Sequence, residues 1–342
     1  MSELRTGVLL ANLGTPDSPR VSDVRRYLRE FLGDPRVLDM APLPRWLLLN
    51  LVILPTRPRR SARAYAKIWT AAGSPLRFHG NALREAVSVE LGPHYVVELG
   101  MRYGQPSIPG ALERLTRADV ARIIALPLFP QYAAASTGST VEKILETLER
   151  VDEIPPVETL GPFYDVPAFI SAFTASTRPE LEAFRPDFVV FSFHGLPERH
   201  LRRADRSGRH CLASDHCCDG LGESNRGCYR AQCFSTARAL ARALELEVDR
   251  FSVGFQSRLG PARWIRPHTD RMLPRLAASG VKRLAVLCPS FVADCLETLE
   301  EIGIRGRKQW LALGGEDLLL APSLNASPLW VRGVADLIRA AA

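Results

Sequence analysis

Strand-like apolar runs alternate with segments of helical periodicity along almost the whole chain. Uninterrupted runs of four to eight apolar residues between turn residues are typical of strands buried on both faces, as in parallel sheets. Regular alternation of such strands with helices predicts an α/β fold built on parallel sheets. The predicted strands are residues 8–13, 95–101, 122–128, 188–193, 251–255 and 283–288.

Chain length and one proline-rich segment predict two domains. At 342 residues the chain exceeds the usual size of a single hydrophobic core, and its 46% of apolar residues suffices for two. The segment 154–162, Ile-Pro-Pro-Val-Glu-Thr-Leu-Gly-Pro, separates two sets of predicted elements. We therefore expect two similar Rossmann-like domains, residues 1–160 and 161–342, facing each other across a cleft, with the last helix free to pack back on the first domain.

Charge and hydropathy predict a cytoplasmic protein with a membrane-facing patch. The N-terminus lacks the pattern of a secretory signal peptide. The most apolar segment, 46–54, has nine residues, about half of the roughly 20 that a spanning helix needs. The formal charge is +7 and arginines follow this segment, so we expect residues 43–60 to contact the inner face of a membrane peripherally; a solvated basic surface is the alternative. No nucleic-acid module is recognisable, and nucleic acid is not an expected partner.

A histidine stands directly after the apolar run 188–193. His194 is followed by Gly195, Leu196 and Pro197, which end the predicted strand. In open α/β sheets, ligands bind at the carboxyl ends of the strands, where an imidazole can act as a base or as a metal ligand near neutral pH. A hydrogen-bonded structural histidine at the strand end is the alternative.

Three carboxylates follow the predicted strand 283–288. Asp294, Glu297 and Glu301 stand at spacings of three and four, which would place them on one face of a helix. Acidic residues are common in a first helical turn because they complement the helix dipole. Carboxylates and imidazole are also frequent metal ligands and proton acceptors, so these residues and His194 predict a metal or acid–base site.

Seven separated segments resemble the ferrochelatase family, whose members insert ferrous iron into a porphyrin. They occur in the family's order over nearly the whole chain. The segments are residues 11–16, 73–76, 101–103, 130–132, 192–197, 255–260 with Trp264, and 291–299. The resemblance implies two Rossmann-like halves with the porphyrin between them, and protoporphyrin IX and Fe²⁺ as substrates. No nucleotide is expected, since neither a Rossmann glycine pattern nor a P-loop is present.

The resemblance also implies roles for individual residues. His194 and Glu297 fall on two active-site positions, and Asp294 and Glu301 on a carboxylate path for protons or iron. The porphyrin must be bent while nearby bases accept two protons. His194 is the favoured proton acceptor and Glu297 the favoured metal or proton conduit; the reverse assignment stays open. The implied porphyrin-binding residues are Ser74, Arg102, Tyr103, Tyr132, Ser136 and Trp264.

A cysteine-rich insertion, residues 205–233, follows the histidine motif. Five of the seven cysteines fall within 23 residues: Cys211, Cys217, Cys218, Cys228 and Cys233. In a cytosolic chain such density favours metal over disulfides, and the absence of Cys-x2-Cys hooks favours an iron–sulfur cluster over zinc. Some ferrochelatases carry a [2Fe–2S] cluster, so we expect four of the five to ligate one. Zinc or free thiols are the alternatives.

The expected function is therefore Fe²⁺ insertion into protoporphyrin IX, a lyase reaction that gives protohaem in the last step of haem biosynthesis. Two alternatives stay open. One is a related chelatase that uses coproporphyrin or cobalt, and the other is a non-catalytic iron–sulfur or haem-binding sensor.

Overall fold

Two separate parallel sheets form the framework of the chain. The computed structural model describes residues 5–149, 151, 155–214 and 216–342. The predicted α/β class, with two parallel sheets flanked by helices, is confirmed. The chain divides into unit 1, which runs up to Phe129 and includes Ala133–Pro162 and Val331–Ala342, and unit 2, which comprises Pro130–Tyr132 and Phe163–Trp330.

The sheet of unit 1 has its first strand near the centre. Its strands are β1 (Arg5–Thr15), β2 (Tyr95–Gly104), β3 (Val120–Pro127) and β4 (Val157–Thr159). The order is β2-β1-β3-β4 and all pairs are parallel, with Val8 opposite both Val97 and Ile124. Leu9 and Ile123 are fully buried in one core, which explains the continuous apolar runs in the sequence.

Amphipathic helices flank this sheet. They are α1 (Val21–Gly33), α2 (Pro42–Leu47), α3 (Leu54–Ile68), α4 (Pro75–Leu91), α5 (Ile108–Arg117) and α6 (Ser139–Leu148). A π-helix, Leu48–Ile53, joins α2 to α3, and a second, Ala134–Gly138, precedes α6. α5 buries its apolar face, including Leu112 and Leu115, against β1 and β3.

The sheet of unit 2 repeats this topology. Its strands are β5 (Phe188–His194), β6 (Phe251–Gln256), β7 (Arg283–Leu287) and β8 (Asp317–Leu320), in the order β6-β5-β7-β8 and all parallel. Its helices are α7 (Pro167–Phe184), α8 (Glu198–Ala204), α9 (Tyr229–Ala243), α10 (Thr269–Ala278), the π-helix Leu296–Gly306 and α11 (Arg307–Ala312). The last helix, α12 (Pro328–Arg339), begins at the end of unit 2 and belongs to unit 1 from Val331 onward. The buried Val190 and Trp310 mark the core of unit 2.

The apolar segment near residue 50 lies in a nearly continuous helical stretch from α2 through α3. Leu43, Trp46 and Leu51 are exposed along it. Among the residues that the structure describes, no helix is both long enough and apolar enough to cross a membrane.

A buried carboxylate joins three elements of unit 1. Asp34 follows α1, and its Oδ2 accepts hydrogen bonds from Ser139 Oγ at 2.5 Å, Arg102 Nη2 at 2.6 Å and Tyr103 OH at 2.7 Å. Its Oδ1 accepts the backbone N–H of Arg36 at 2.7 Å. The Asp34 side chain is only 1% exposed, so α1, the end of β2 and the start of α6 share one ion-paired centre.

These bonds also control ionisation at the centre. Burial alone would raise the pKa of Asp34, but the hydroxyl groups of Ser139 and Tyr103 and the Arg36 N–H outweigh it and hold that pKa below its usual range. Burial, followed by the negative charge of Asp34, raises the pKa of Tyr103. Asp34 is therefore an anion and Tyr103 a neutral donor at physiological pH.

Replacing Asp34 with Asn should lower the free energy of unfolding by about 3 kcal/mol at pH 7, because it leaves the Arg102 guanidinium buried without its counter-charge. Since the folded-state pKa of Asp34 is depressed, its contribution is complete above about pH 4 and is lost as the pH falls further, so the difference should shrink in acid. Urea unfolding of wild type and variant, at pH 7 and again below about pH 4, measures the two differences in free energy. Asp17→Asn, which breaks the exposed Arg26 pair, is the control, and an equal loss in both variants would contradict the account.

Candidate active site

His194 and Glu297 reach the same edge of the unit 2 sheet. His194 is the last residue of β5, and the chain leaving β7 enters the π-helix that carries Glu297. β7 and β5 are direct neighbours and parallel, so their carboxyl ends lie side by side. The structure thus brings together the two elements that the sequence predicted to meet at one edge.

Hydrogen bonds hold the imidazole and the backbone of His194. Its Nδ1 lies 2.7 Å from the carbonyl oxygen of Gly195, and its own carbonyl accepts the Tyr229 hydroxyl at 2.8 Å. A carbonyl oxygen can only accept, so Nδ1 carries a hydrogen and Nε2 of the neutral ring has a lone pair. Nε2 is therefore the atom that can take a proton or bind a metal ion.

Glu297 lies in the first turn of the π-helix, where Cys295 is the N-cap. The backbone N–H of Cys295 donates to Thr298 Oγ1 at 3.0 Å, and the Cys295 side chain accepts a backbone N–H in return. Burial, then the negative charge of Glu297, raises the pKa of the Cys295 thiol well above its usual range. A half-buried carboxylate thus lies beside a thiol that stays protonated.

Asp294 is not on the helical face that the spacing predicted. The element is a π-helix that begins at Leu296, and Asp294 precedes it. Its carboxylate accepts bonds from Asn325 Nδ2 at 2.8 Å and Thr298 Oγ1 at 3.1 Å. The sequence pattern could not distinguish a π-helix from an α-helix, and the expected common face of three carboxylates is wrong.

Glu301 is bound to the end of β6. Its two oxygens accept the backbone N–H of Ser257 at 3.0 Å and the Ser257 hydroxyl at 2.5 Å, and Arg305 lies 3.7 Å away. Both oxygens already have protein donors. The role of Asp294 and Glu301 in a path for protons or iron stays a prediction.

The predicted porphyrin-binding residues differ in exposure. In unit 1, Ser74 is 2% exposed and accepts a hydrogen bond from Thr15, and Tyr103 is fully buried on Asp34. Arg102 uses Nε and Nη2 for Ser139 and Asp34, which leaves Nη1 outside these bonds. Ser136 is half-buried in the π-helix before α6.

The two predicted porphyrin-binding residues of unit 2 are half-buried. Tyr132 is held by a backbone N–H bond to Gln232 Oε1 at 2.7 Å, and the Trp264 indole donates to the Leu259 carbonyl at 3.0 Å. Contact of porphyrin with any of these residues in either unit stays a prediction.

The five clustered cysteines are all buried and none forms a disulfide. The Sγ atoms of Cys217 and Cys218 are 3.7 Å apart. Burial raises the pKa of Cys211, and a hydrogen bond with Cys228 together with burial raises the pKa of Cys218. Within residues 5–149, 151, 155–214 and 216–342, no three His, Cys, Asp or Glu side chains converge as ligands of one metal ion.

Sequence reasoning missed Tyr229 and Gln256. Tyr229 begins α9 directly after Cys228 and contacts His194 and Ser290, at 2.8 and 3.1 Å. Gln256, the last residue of β6, lies in register with His194. Gln256 belongs to the resemblance segment 255–260, but its contacts depend on strand pairing that a single sequence does not reveal.

Comparison with known proteins identifies the family. The ferrochelatase family model matches residues 5–342. Proteins named ferrochelatase from Coxiella burnetii (strain Dugway 5J108-111) and Azotobacter vinelandii (strain DJ / ATCC BAA-1303) are 48% and 50% identical over 335 residues. The matches cover 98% and 97% of this chain, and 93% and 98% of the two relatives. One from Legionella pneumophila (strain Lens) is 44% identical over 336 residues, covering 98% of this chain and 99% of that protein.

Solved structures of chelatases share the fold. The sirohydrochlorin chelatase SirB from Bacillus subtilis subspecies spizizenii, in complex with cobalt, has a TM-score of 0.54 at 11% identity, covering 98% of this chain and 94% of that one. CbiX, the terminal enzyme for biosynthesis of siroheme in denitrifying bacteria, has a TM-score of 0.50 at 15% identity, covering 99% and 100%. The family match and the 44–50% identity of full-length relatives show that this chain belongs to the ferrochelatase family.

Proposed function

We propose that this chain inserts Fe²⁺ into protoporphyrin IX and so forms protohaem in the last step of haem biosynthesis. Membership of the ferrochelatase family supports the reaction class, metal insertion into a porphyrin. The observation that carries the proposal is the His194 ring, whose Nδ1 is bound to Gly195 while its Nε2 has a lone pair, at the sheet edge where the Glu297 helix begins.

Metal insertion exchanges protons for a metal ion without electron transfer. Two pyrrole N–H bonds break, iron–nitrogen bonds form, and two protons leave the ring. Nε2 of His194 can accept a proton as it leaves a pyrrole nitrogen. The Glu297 carboxylate can accept the second proton or hold Fe²⁺ before transfer, because a carboxylate is a ligand that releases Fe²⁺ readily.

Replacing His194 with Ala should lower kcat/KM for porphyrin metallation by about 10²–10⁴-fold, the usual contribution of a positioned general base. The measurement follows conversion of the porphyrin visible bands to those of a metalloporphyrin with Fe²⁺ or Zn²⁺. His94→Ala, in an exposed loop of unit 1, should retain the wild-type rate. A His194→Ala rate equal to wild type would contradict the proposed role, and no wild-type conversion above the spontaneous rate would contradict the function.

We also propose that the cysteine segment binds a [2Fe–2S] cluster. Five buried thiols within 23 residues support this, and Cys211, Cys217, Cys218 and Cys228 lie close enough to perturb one another's pKa values. In such a cluster the four ligands are shared between two irons, so three side chains need not converge on one metal ion. When bound, the cluster would cross-link this segment.

Protein produced with iron and purified without oxygen should be red-brown, bleach on reduction, and contain two irons and two sulfides per chain. Cys218→Ser should lose the colour, whereas Cys288→Ser, a buried cysteine outside the segment, should keep it. Colourless wild-type protein without iron or sulfide would refute the cluster.

The α2–α3 stretch supports a further proposal, peripheral contact with an anionic membrane. Leu43, Trp46 and Leu51 are 57–67% exposed there, beside a hollow of about 460 Å³ whose lining includes Trp46 and Leu49. Arg59, Arg60 and Arg63 are exposed on α3. An apolar surface with nearby cations suits the interface of an anionic bilayer.

Wild-type protein should sediment with phosphatidylglycerol-containing vesicles. Trp46→Ser should weaken binding about tenfold, because an exposed aromatic side chain gains roughly 1.5–3 kcal/mol on burial. Val248→Ser, which changes an even more exposed apolar residue of unit 2, is the control. Equal binding by wild type and Trp46→Ser would contradict membrane contact at this stretch.

A further inference from the structure

Gln256 is a buried amide at the active-site edge of the unit 2 sheet. It ends β6, is 4% exposed, and stands opposite His194 in the strand register. Its Nε2 donates to the backbone carbonyl of Glu297 at 2.8 Å, and its Oε1 accepts the Ser192 hydroxyl at 2.6 Å. The carbonyl of Glu297 can only accept, which fixes the orientation of the amide.

The backbone of Gln256 also holds the chain just after His194. Its carbonyl accepts the N–H of Gly195 at 2.8 Å. A Cβ on residue 195 would lie 2.7 Å from that carbonyl oxygen and 3.3 Å from the Trp264 ring, so the approach requires glycine. One residue therefore bonds both to the strand end that carries His194 and to the helix turn that carries Glu297.

Ser257 adds a second attachment to the same π-helix. Its backbone has φ 66°, a left-handed conformation that is uncommon for serine. In this conformation its N–H and hydroxyl both bind the Glu301 carboxylate, one turn beyond Glu297. Residues 256 and 257 thus hold the π-helix at two places along its length.

We propose that Gln256 is a positioning residue that sets the Glu297 carboxylate relative to the His194 imidazole. The proposal rests on the proposed function of the same site. Proton and metal transfer between a porphyrin and two protein groups tolerates displacements of only a fraction of an ångström. The bond from Gln256 to the Glu297 backbone supplies this restraint from the strand that pairs with β5.

Replacement of Gln256 by Met keeps the length of the side chain and removes both polar atoms. We expect kcat to fall about tenfold, because Glu297 loses its restraint. The KM for porphyrin, and the porphyrin dissociation constant measured by fluorescence quenching without metal, should change less than twofold. Gln309→Met is the matched control, since it removes an Nε2 bond to the Asp270 carbonyl elsewhere in unit 2, and it should leave kcat within twofold.

A double-mutant cycle with Glu297→Gln separates positioning from a general loss of structure. If Gln256 acts through the Glu297 carboxylate, Gln256→Met should cost little further rate once that carboxylate is gone. The rates are measured as single turnovers of porphyrin-loaded enzyme, followed over hours and corrected for the spontaneous rate. A rate that Glu297→Gln lowers by as much as about 10⁴-fold then remains measurable. Non-additive losses support the proposal, and losses that multiply overturn it.

Two further results have fixed meanings. If Gln256→Met does not fold, the isosteric Gln256→Glu enters the same cycle, and its effect on kcat must likewise vanish in the Glu297→Gln background. If wild-type enzyme metallates porphyrin but the rate losses of the two variants multiply, the positioning role is refuted and the proposed function is not. Wild-type enzyme that forms no metalloporphyrin refutes the proposed function, and the positioning role with it.

Discussion

Parallel pairing of β5 with β6 and β7 is the constraint on which the site depends. It aligns three carboxyl ends at one edge of the sheet, so that His194, Gln256 and the chain leading to Glu297 emerge together. Backbone hydrogen bonds between the strands produce this alignment without burying a charged group. Side-chain bonds then refine it, through Tyr229 to the His194 carbonyl and through Gln256 to the Glu297 carbonyl.

The two sheets use different chemistry at their carboxyl ends. Unit 1 buries an ion pair, Asp34 with Arg102, surrounded by hydroxyl donors, whereas unit 2 buries a neutral amide, Gln256. A buried charge is costly unless it is paired and hydrogen-bonded, and Asp34 has the Arg102 guanidinium as its counter-charge and four hydrogen-bond donors in all. A neutral amide near His194 and Glu297 adds no further charge to the groups proposed to exchange protons and metal.

Sequence patterns predicted the strongly apolar elements and missed those set by long-range contacts. All six predicted strands are present, because strands buried on both faces read as continuous apolar runs. The short edge strand β4 carries no such run and lies in the proline-rich segment expected to be the domain boundary, of which Ile154 is outside the described residues. The edge strand β8 has a run of only four apolar residues, 318–321, and is not among the predicted strands. Asp34 was not recognised because, between Gly33 and Pro35, it resembles an ordinary turn residue.

The central claim is that this sheet edge removes two protons from a porphyrin as it inserts a metal ion. Its most direct measurement is proton release during a single turnover, with porphyrin-loaded enzyme and Zn²⁺ in weakly buffered solution containing a pH indicator. The account predicts two protons released for each metalloporphyrin formed, in step with the change in the visible bands. Metal binding without proton release, or proton release without metalloporphyrin, would contradict it.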